Sequence, residues 1–80
     1  MRAKVEVFLK PGVLDVQGKA IEGALHGLGF AEVDHVRVGK TISFDLGDGA
    51  DRGAAEARVK AMCDGLLANA VIESYRVEIA

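Results

Sequence analysis

The sequence predicts an α+β fold with elements in the order β-α-β-β-α-β, and three observations predict it. Residues alternate between apolar and polar at both ends of the chain. Two inner stretches repeat apolar residues at helical spacing, and a glycine divides a second alternating region into two strands.

Ala3 to Leu9 places Val5, Val7 and Leu9 on one face and Lys4, Glu6 and Phe8 on the other, the period-two pattern of a half-buried strand. Phe8 is the apolar exception on the outward face. Pro11-Gly12 breaks the strand, and Asp15 stands where a helix N-cap is needed, opening a first helix that runs to about Leu28. Its apolar stripe is Ile21, Ala24, Leu25 and Leu28, and Gly29 is available to end it. Gly18, Gly23 and Gly27 weaken this helix by roughly 1 kcal/mol each against alanine, so close approach of another backbone is the reason to keep some of them.

Val33 to Lys40 and Thr41 to Leu46 read as a hairpin around Gly39-Lys40, with Val36, Val38, Ile42, Phe44 and Leu46 facing inward. Gly47-Asp48-Gly49-Ala50-Asp51 is a flexible acidic loop. A second helix follows to about Leu67, with Ala55, Val59, Met62, Cys63 and Leu66 on its inner stripe and Asn69 as a left-handed cap. The last strand alternates Tyr75, Val77 and Ile79 against Ser74, Arg76 and Glu78. Each half of the chain is therefore strand, helix, strand, and Gly27-Leu28, Val33 and Arg37-Val38 recur as Gly65-Leu66, Val71 and Arg76-Val77. Two right-handed crossovers onto one antiparallel sheet give a ferredoxin-like arrangement, with four strands, two helices on one face and the other face open.

Residues 1–80 form a single domain with room for one thin core. At about 25 cal/mol per Å² of buried apolar surface, against roughly 1.5 kcal/mol of conformational entropy per residue, so small a domain comes out near zero. Cys63 is the only cysteine, so no disulfide framework adds to the core, and oligomerisation remains. A homodimer or homotetramer is expected, its partner copy covering the open face. A formal net charge of -2, with both signs interspersed, and an aromatic content of 5% offer no footprint for nucleic acid or an anionic membrane. The amino terminus runs straight into a strand and no apolar run approaches transmembrane length, so a cytoplasmic protein is expected.

Catalytic constellations are missing from the pattern. Nucleophilic catalysis needs a nucleophile beside a base, and the histidines are His26, late on the first helix, and His35, on an outward strand face. Cys63 sits on an apolar stripe, where a free thiol behaves as a small hydrophobe. With no CxxC in the first turn, a lone thiol does not make a soft-metal site. Asp45, Asp48 and Asp51 do not match the spacing of a calcium loop and read as a solvated acidic segment. Arg37-Val38-Gly39-Lys40 is the polar cluster with most to offer, able to receive an acidic group from a partner protein or a ligand carboxylate.

Six blocks stand in order along nearly the whole chain: Val13-Leu14-Asp15-Val16-Gln17-Gly18-Lys19-Ala20, Ala24-Leu25-His26, Val36-Arg37-Val38-Gly39-Lys40, Met62-Cys63, Leu66-Leu67-Ala68-Asn69 and Val71-Ile72-Glu73-Ser74-Tyr75-Arg76. As a set they resemble the PurS subunit of formylglycinamidine ribonucleotide (FGAM) synthase. The resemblance implies a part in de novo purine synthesis, within a complex that converts formylglycinamide ribonucleotide, glutamine and ATP to the amidine, glutamate, ADP and phosphate. In that family a PurQ-type glutaminase subunit frees ammonia and a PurL-type synthetase subunit uses ATP and magnesium. The small subunit, a dimer or higher oligomer, bridges the two and supports passage of ammonia between them. It is therefore expected to bind no cofactor and to catalyse nothing alone.

Carried over residue by residue, Asp15, Gln17 and Gly18 match the family's first turn, Arg37, Gly39 and Lys40 its hairpin, and Asn69, Glu73 and Tyr75 its closing segment. These are the candidate partner-interface residues. One departure is Val16, where the family usually carries the proline that presets a helix's first position. The alternative reading is a dimeric amino-acid-binding regulatory module of the same architecture, with its ligand at the dimer interface near the first βα turn.

Overall fold

The computed structural model describes residues 1–47 and 51–80. Five main elements follow in order: β1 (Arg2–Leu9), α1 (Val16–Gly27), β2 (Gly39–Asp45), α2 (Arg52–Met62) and β3 (Glu73–Ile79). A single π-helical turn, Cys63–Leu67, continues α2, so the helical run reaches the residue that the apolar spacing predicts. The expectation for Asp48, Gly49 and Ala50 lies outside the described residues.

β1 is the centre of the sheet, flanked antiparallel by β2 and β3, with Val5 opposite both Ile42 and Val77. That position suits its sequence. Ala3, Val5 and Val7 are buried on one face, where β-branched side chains pack well on a pleated surface. Ala55, Val59 and Cys63 are the buried residues of the helical run above them, and Tyr75, Val77 and Ile79 close the core from β3. Met62 and Leu66, expected on the same stripe, are exposed.

Both helix starts follow from local chemistry. The Asp15 carboxylate accepts from the Gly18 N–H at 2.8 Å and the Asp51 carboxylate from the Ala54 N–H at 2.8 Å, each satisfying one of the free donors of a first turn. Val16 in place of proline leaves the first cap intact. Upstream, Lys10-Pro11-Gly12-Val13 closes as a tight turn, with the Val13 N–H donating to the Lys10 carbonyl at 3.1 Å and Gly12 at φ +89°. α1 ends on Gly29 at φ +98°. The Gly29 N–H donates to the His26 carbonyl and the Phe30 N–H to the Leu25 carbonyl, both at 3.0 Å, which completes a Schellman motif.

Three further features differ from the sequence expectation. Among the described residues the sheet has three strands, and residues 33–38 form an irregular connection in place of a fourth strand and a hairpin. The alternation of Val36 and Val38 is real, and both are half-buried, but their backbone donors are taken elsewhere. The Val36 N–H donates to Glu22 Oε1 at 3.1 Å and the Val38 N–H to Asp15 Oδ2 at 2.7 Å, while His35 turns the chain at φ 53°. Carboxylates on α1 and its cap thus replace the neighbouring strand.

The second difference concerns the helices. Only α2 lies along the sheet, and α1 makes no more than isolated contacts with the strands or with α2. Its stripe is correspondingly open in part, with Ile21 40% and Leu28 73% exposed and Leu25 between them half-buried. The chain is elongated, 51 × 24 × 15 Å, with a radius of gyration of 16.2 Å, against about 12 Å for a compact chain of this length. α1 is an arm.

Third, Asn69 is not a left-handed cap. The Ala68 N–H donates to the Cys63 carbonyl and the chain leaves the helical turn extended. Asn69 organises the next turn instead, its side chain accepting from the Val71 N–H at 3.0 Å and its carbonyl from the Glu73 N–H at 2.7 Å.

Candidate functional site

The turn from β1 into α1, the connection 33–38 and the starts of β2 and β3 meet at one end of the sheet. Asp15 is the buried charged residue among those described, 5% exposed. One oxygen takes the Gly18 N–H and the other the Val38 N–H, and Arg37 Nε lies 3.9 Å from the second. Hydrogen bonds from Val38 and Gly18, helped by the Arg37 charge, hold the Asp15 carboxyl below its ordinary 3.8 despite the opposing cost of burial. Since that value is depressed in the folded chain, the stabilisation is complete above 3.8 and is lost as pH falls through the lower folded value.

Gly18 and Gly39 are required by close approach. A Cβ on Gly18 would lie 2.4 Å from the Val36 carbonyl oxygen, and one on Gly39 would lie 2.7 Å from that of Val7. The other two glycines of α1, Gly23 and Gly27, have nothing within 4 Å. One of the three helix glycines therefore admits another backbone of the same chain. Arg37 points back across the turn, donating to the Val13 carbonyl at 3.2 Å and the Lys10 carbonyl at 3.3 Å.

A polar cleft of about 230 Å³ brings together Asp15, Gln17, Gly39, Lys40 and Glu73, with Phe8 at its wall. Gln17 and Lys40 are exposed on its rim. Asn69 joins through Glu73, whose carboxylate accepts from the Asn69 N–H at 2.7 Å. Tyr75 is apart from this group. It belongs to the core face of β3, and its hydroxyl donates to Asp64 at 3.0 Å, the main reason that its pKa is raised above 10.0. The Cys63 thiol is pushed up as well, first by burial and then by the Asp64 charge.

Glu22 belongs to the same node and was not singled out in the sequence. A signal was present: Asp15, Gly18 and Glu22 are spaced three and four apart, which puts them on one helix face. A second surface lies elsewhere, a groove of about 310 Å³ lined by Phe44, Met62, Gly65, Leu66 and Leu67. Among the described residues no helix is long and apolar enough to cross a membrane, and no three His, Cys, Asp or Glu side chains group as metal ligands.

Fold and node together define a class: small α+β chains whose first helix is carried off an antiparallel sheet by a hydrogen-bonded turn. The family model for PurS, phosphoribosylformylglycinamidine (FGAM) synthase, matches residues 2–80. This chain belongs to the PurS family. It is 46% identical over 78 residues to the phosphoribosylformylglycinamidine synthase subunit PurS of Bacillus subtilis, covering 98% of this chain and 90% of that protein. The crystal structure of Methanocaldococcus jannaschii PurS superposes with a TM-score of 0.86 at 36% identity, over 96% of this chain and 92% of that one. A chain of the PurLQS structure from Thermotoga maritima also superposes at 0.86, with 30% identity, over 96% and 93%.

Proposed function

We propose that this chain is the small, non-catalytic bridging subunit of FGAM synthase, joining a PurQ-type glutaminase to a PurL-type synthetase so that glutamine-derived ammonia reaches formylglycinamide ribonucleotide. The observation that carries the reading is full-length membership of the PurS family, supported by likeness to a chain of the Thermotoga maritima PurLQS structure. ATP and magnesium belong to the synthetase in this reading, and the assembly is cytoplasmic. Family membership favours it over an amino-acid-binding regulatory module. Contact with the larger subunits falls to the exposed polar members of the cleft end, Gln17, Arg37 and Lys40, while Asp15, Gly18, Gly39, Asn69 and Glu73 shape the backbone that presents them. Tyr75 lies outside this group and supports β3.

The working form is a homodimer or homotetramer. One chain carries both exposed apolar residues on the α1 stripe (Ile21 and Leu28) and an open apolar groove (Phe44, Met62, Leu66). Exposed apolar surface of this kind on a small protein marks an interaction site. Reconstitution tests the function directly. A synthetase and glutaminase without this chain should make product from free ammonia but use glutamine poorly, and adding the chain should restore the glutamine reaction. An unchanged glutamine-dependent rate in its absence would refute the proposal.

A further inference from the structure

The arm α1 is held to the body by hydrogen bonds where a helix is ordinarily held by packing. The cap Asp15, the glycine approach at Gly18 and the Glu22 carboxylate fasten its first two turns to residues 36–38. That connection leads directly into β2, which pairs with β1 along its length. The opposite side of the turn is tied by Arg37 to the Lys10 and Val13 carbonyls. In the last turn of α1 the His26 Nε2 also lies 2.7 Å from the Val33 carbonyl oxygen, and beyond these bonds α1 has only isolated contacts with the sheet and α2.

We infer that the Asp15 carboxylate is the joint that sets the direction of α1 relative to the sheet, because it alone bonds the first turn of the helix and the connection into β2 at once. The joint is a conformational device of the single chain and holds whether or not the bridging role stands. It has a chemical handle, since protonation weakens both acceptors together. The charged and titratable groups around the carboxylate are Arg37 and His35 from the connection, Lys40 from β2, Glu73 from β3, and Lys19 and Glu22 from α1 itself. All of these persist when Asp15 is replaced by asparagine, so a difference in acid response between the two proteins belongs to Asp15.

Residual dipolar couplings on the full-length protein read the angle between elements. In the wild type the couplings of α1 and of the sheet should fit one alignment, and acidification through the Asp15 titration should reduce those of α1 alone. In Asp15→Asn the couplings of α1 should be reduced already at neutral pH and should fall less on acidification than in the wild type, the remainder belonging to Glu22, with β1, β2, β3 and α2 unchanged. Gly18→Ala is the second variant, since its new Cβ would meet the Val36 carbonyl oxygen at 2.4 Å. It should turn α1 to a new fixed direction. A single alignment with the wild-type helix direction in both variants would overturn the inference and assign the direction of α1 to packing.

Discussion

Leu28→Ala is the sharpest probe of the proposed self-association and of the part α1 takes in it. The leucine is 73% exposed in the single chain, so most of its apolar surface is available to a second copy. Truncation removes the groups beyond Cβ, worth about 2.4 kcal/mol at roughly 0.8 kcal/mol per methylene. Scaling by the exposed fraction leaves about 1.8 kcal/mol per copy. An isologous two-fold interface counts the residue twice, giving about 3.5 kcal/mol, or a dissociation constant roughly 300-fold weaker at 1.4 kcal/mol per decade. Sedimentation velocity across a dilution series measures this. The far-ultraviolet circular dichroism of the dissociated chain should be unchanged, because Leu28 has little to lose there. A dissociation constant equal to that of the wild type would show that α1 is not part of the self-association surface.

Two further outcomes follow from particular contacts. Gly23→Ala places a methyl group where nothing lies within 4 Å and should raise helix stability by up to about 1 kcal/mol; a thermal scan showing destabilisation would mean that something covers this face. For Tyr75, the raised pKa is due first to the hydrogen bond with Asp64, so this contribution to stability is complete below 10.0 and is lost as pH rises through the folded value. Asp64→Asn should bring the phenol's absorbance titration down toward the ordinary midpoint, and an unmoved midpoint would remove Asp64 as the cause.

The parts of this fold that were legible in the sequence are those decided by local chemistry. Alternation placed β1 and β3, Asp15 and Gly29 marked both ends of α1, and of the stripe Ala55, Val59, Met62, Cys63 and Leu66 the members Ala55, Val59 and Cys63 meet the sheet while Met62 and Leu66 are exposed. What escaped was decided by long-range hydrogen bonding. Val36 and Val38 alternate like a strand, yet nothing in their neighbourhood reveals that Glu22 and Asp15 take their amide protons. The same reason hid the standing-off of α1, for an amphipathic stripe declares that it will be covered without saying by which chain. At the candidate site, the first turn and the Arg37-Gly39-Lys40 cluster were readable as a pair of blocks. Their union through one carboxylate was visible only in three dimensions.

The detachment of α1 divides the constraints on this sequence into two kinds. Val5, Val7 and Val59 answer to neighbours in their own chain, so their size and shape are dictated by whether one molecule can fold at all. Ile21 and Leu28 are exposed in the single chain, and their apolar character contributes less to the solitary domain. On the proposed self-association, the apolar character of these two residues serves a second copy and not the core of their own chain. In a protein of 80 residues the core and the arm can in this way answer to different surfaces.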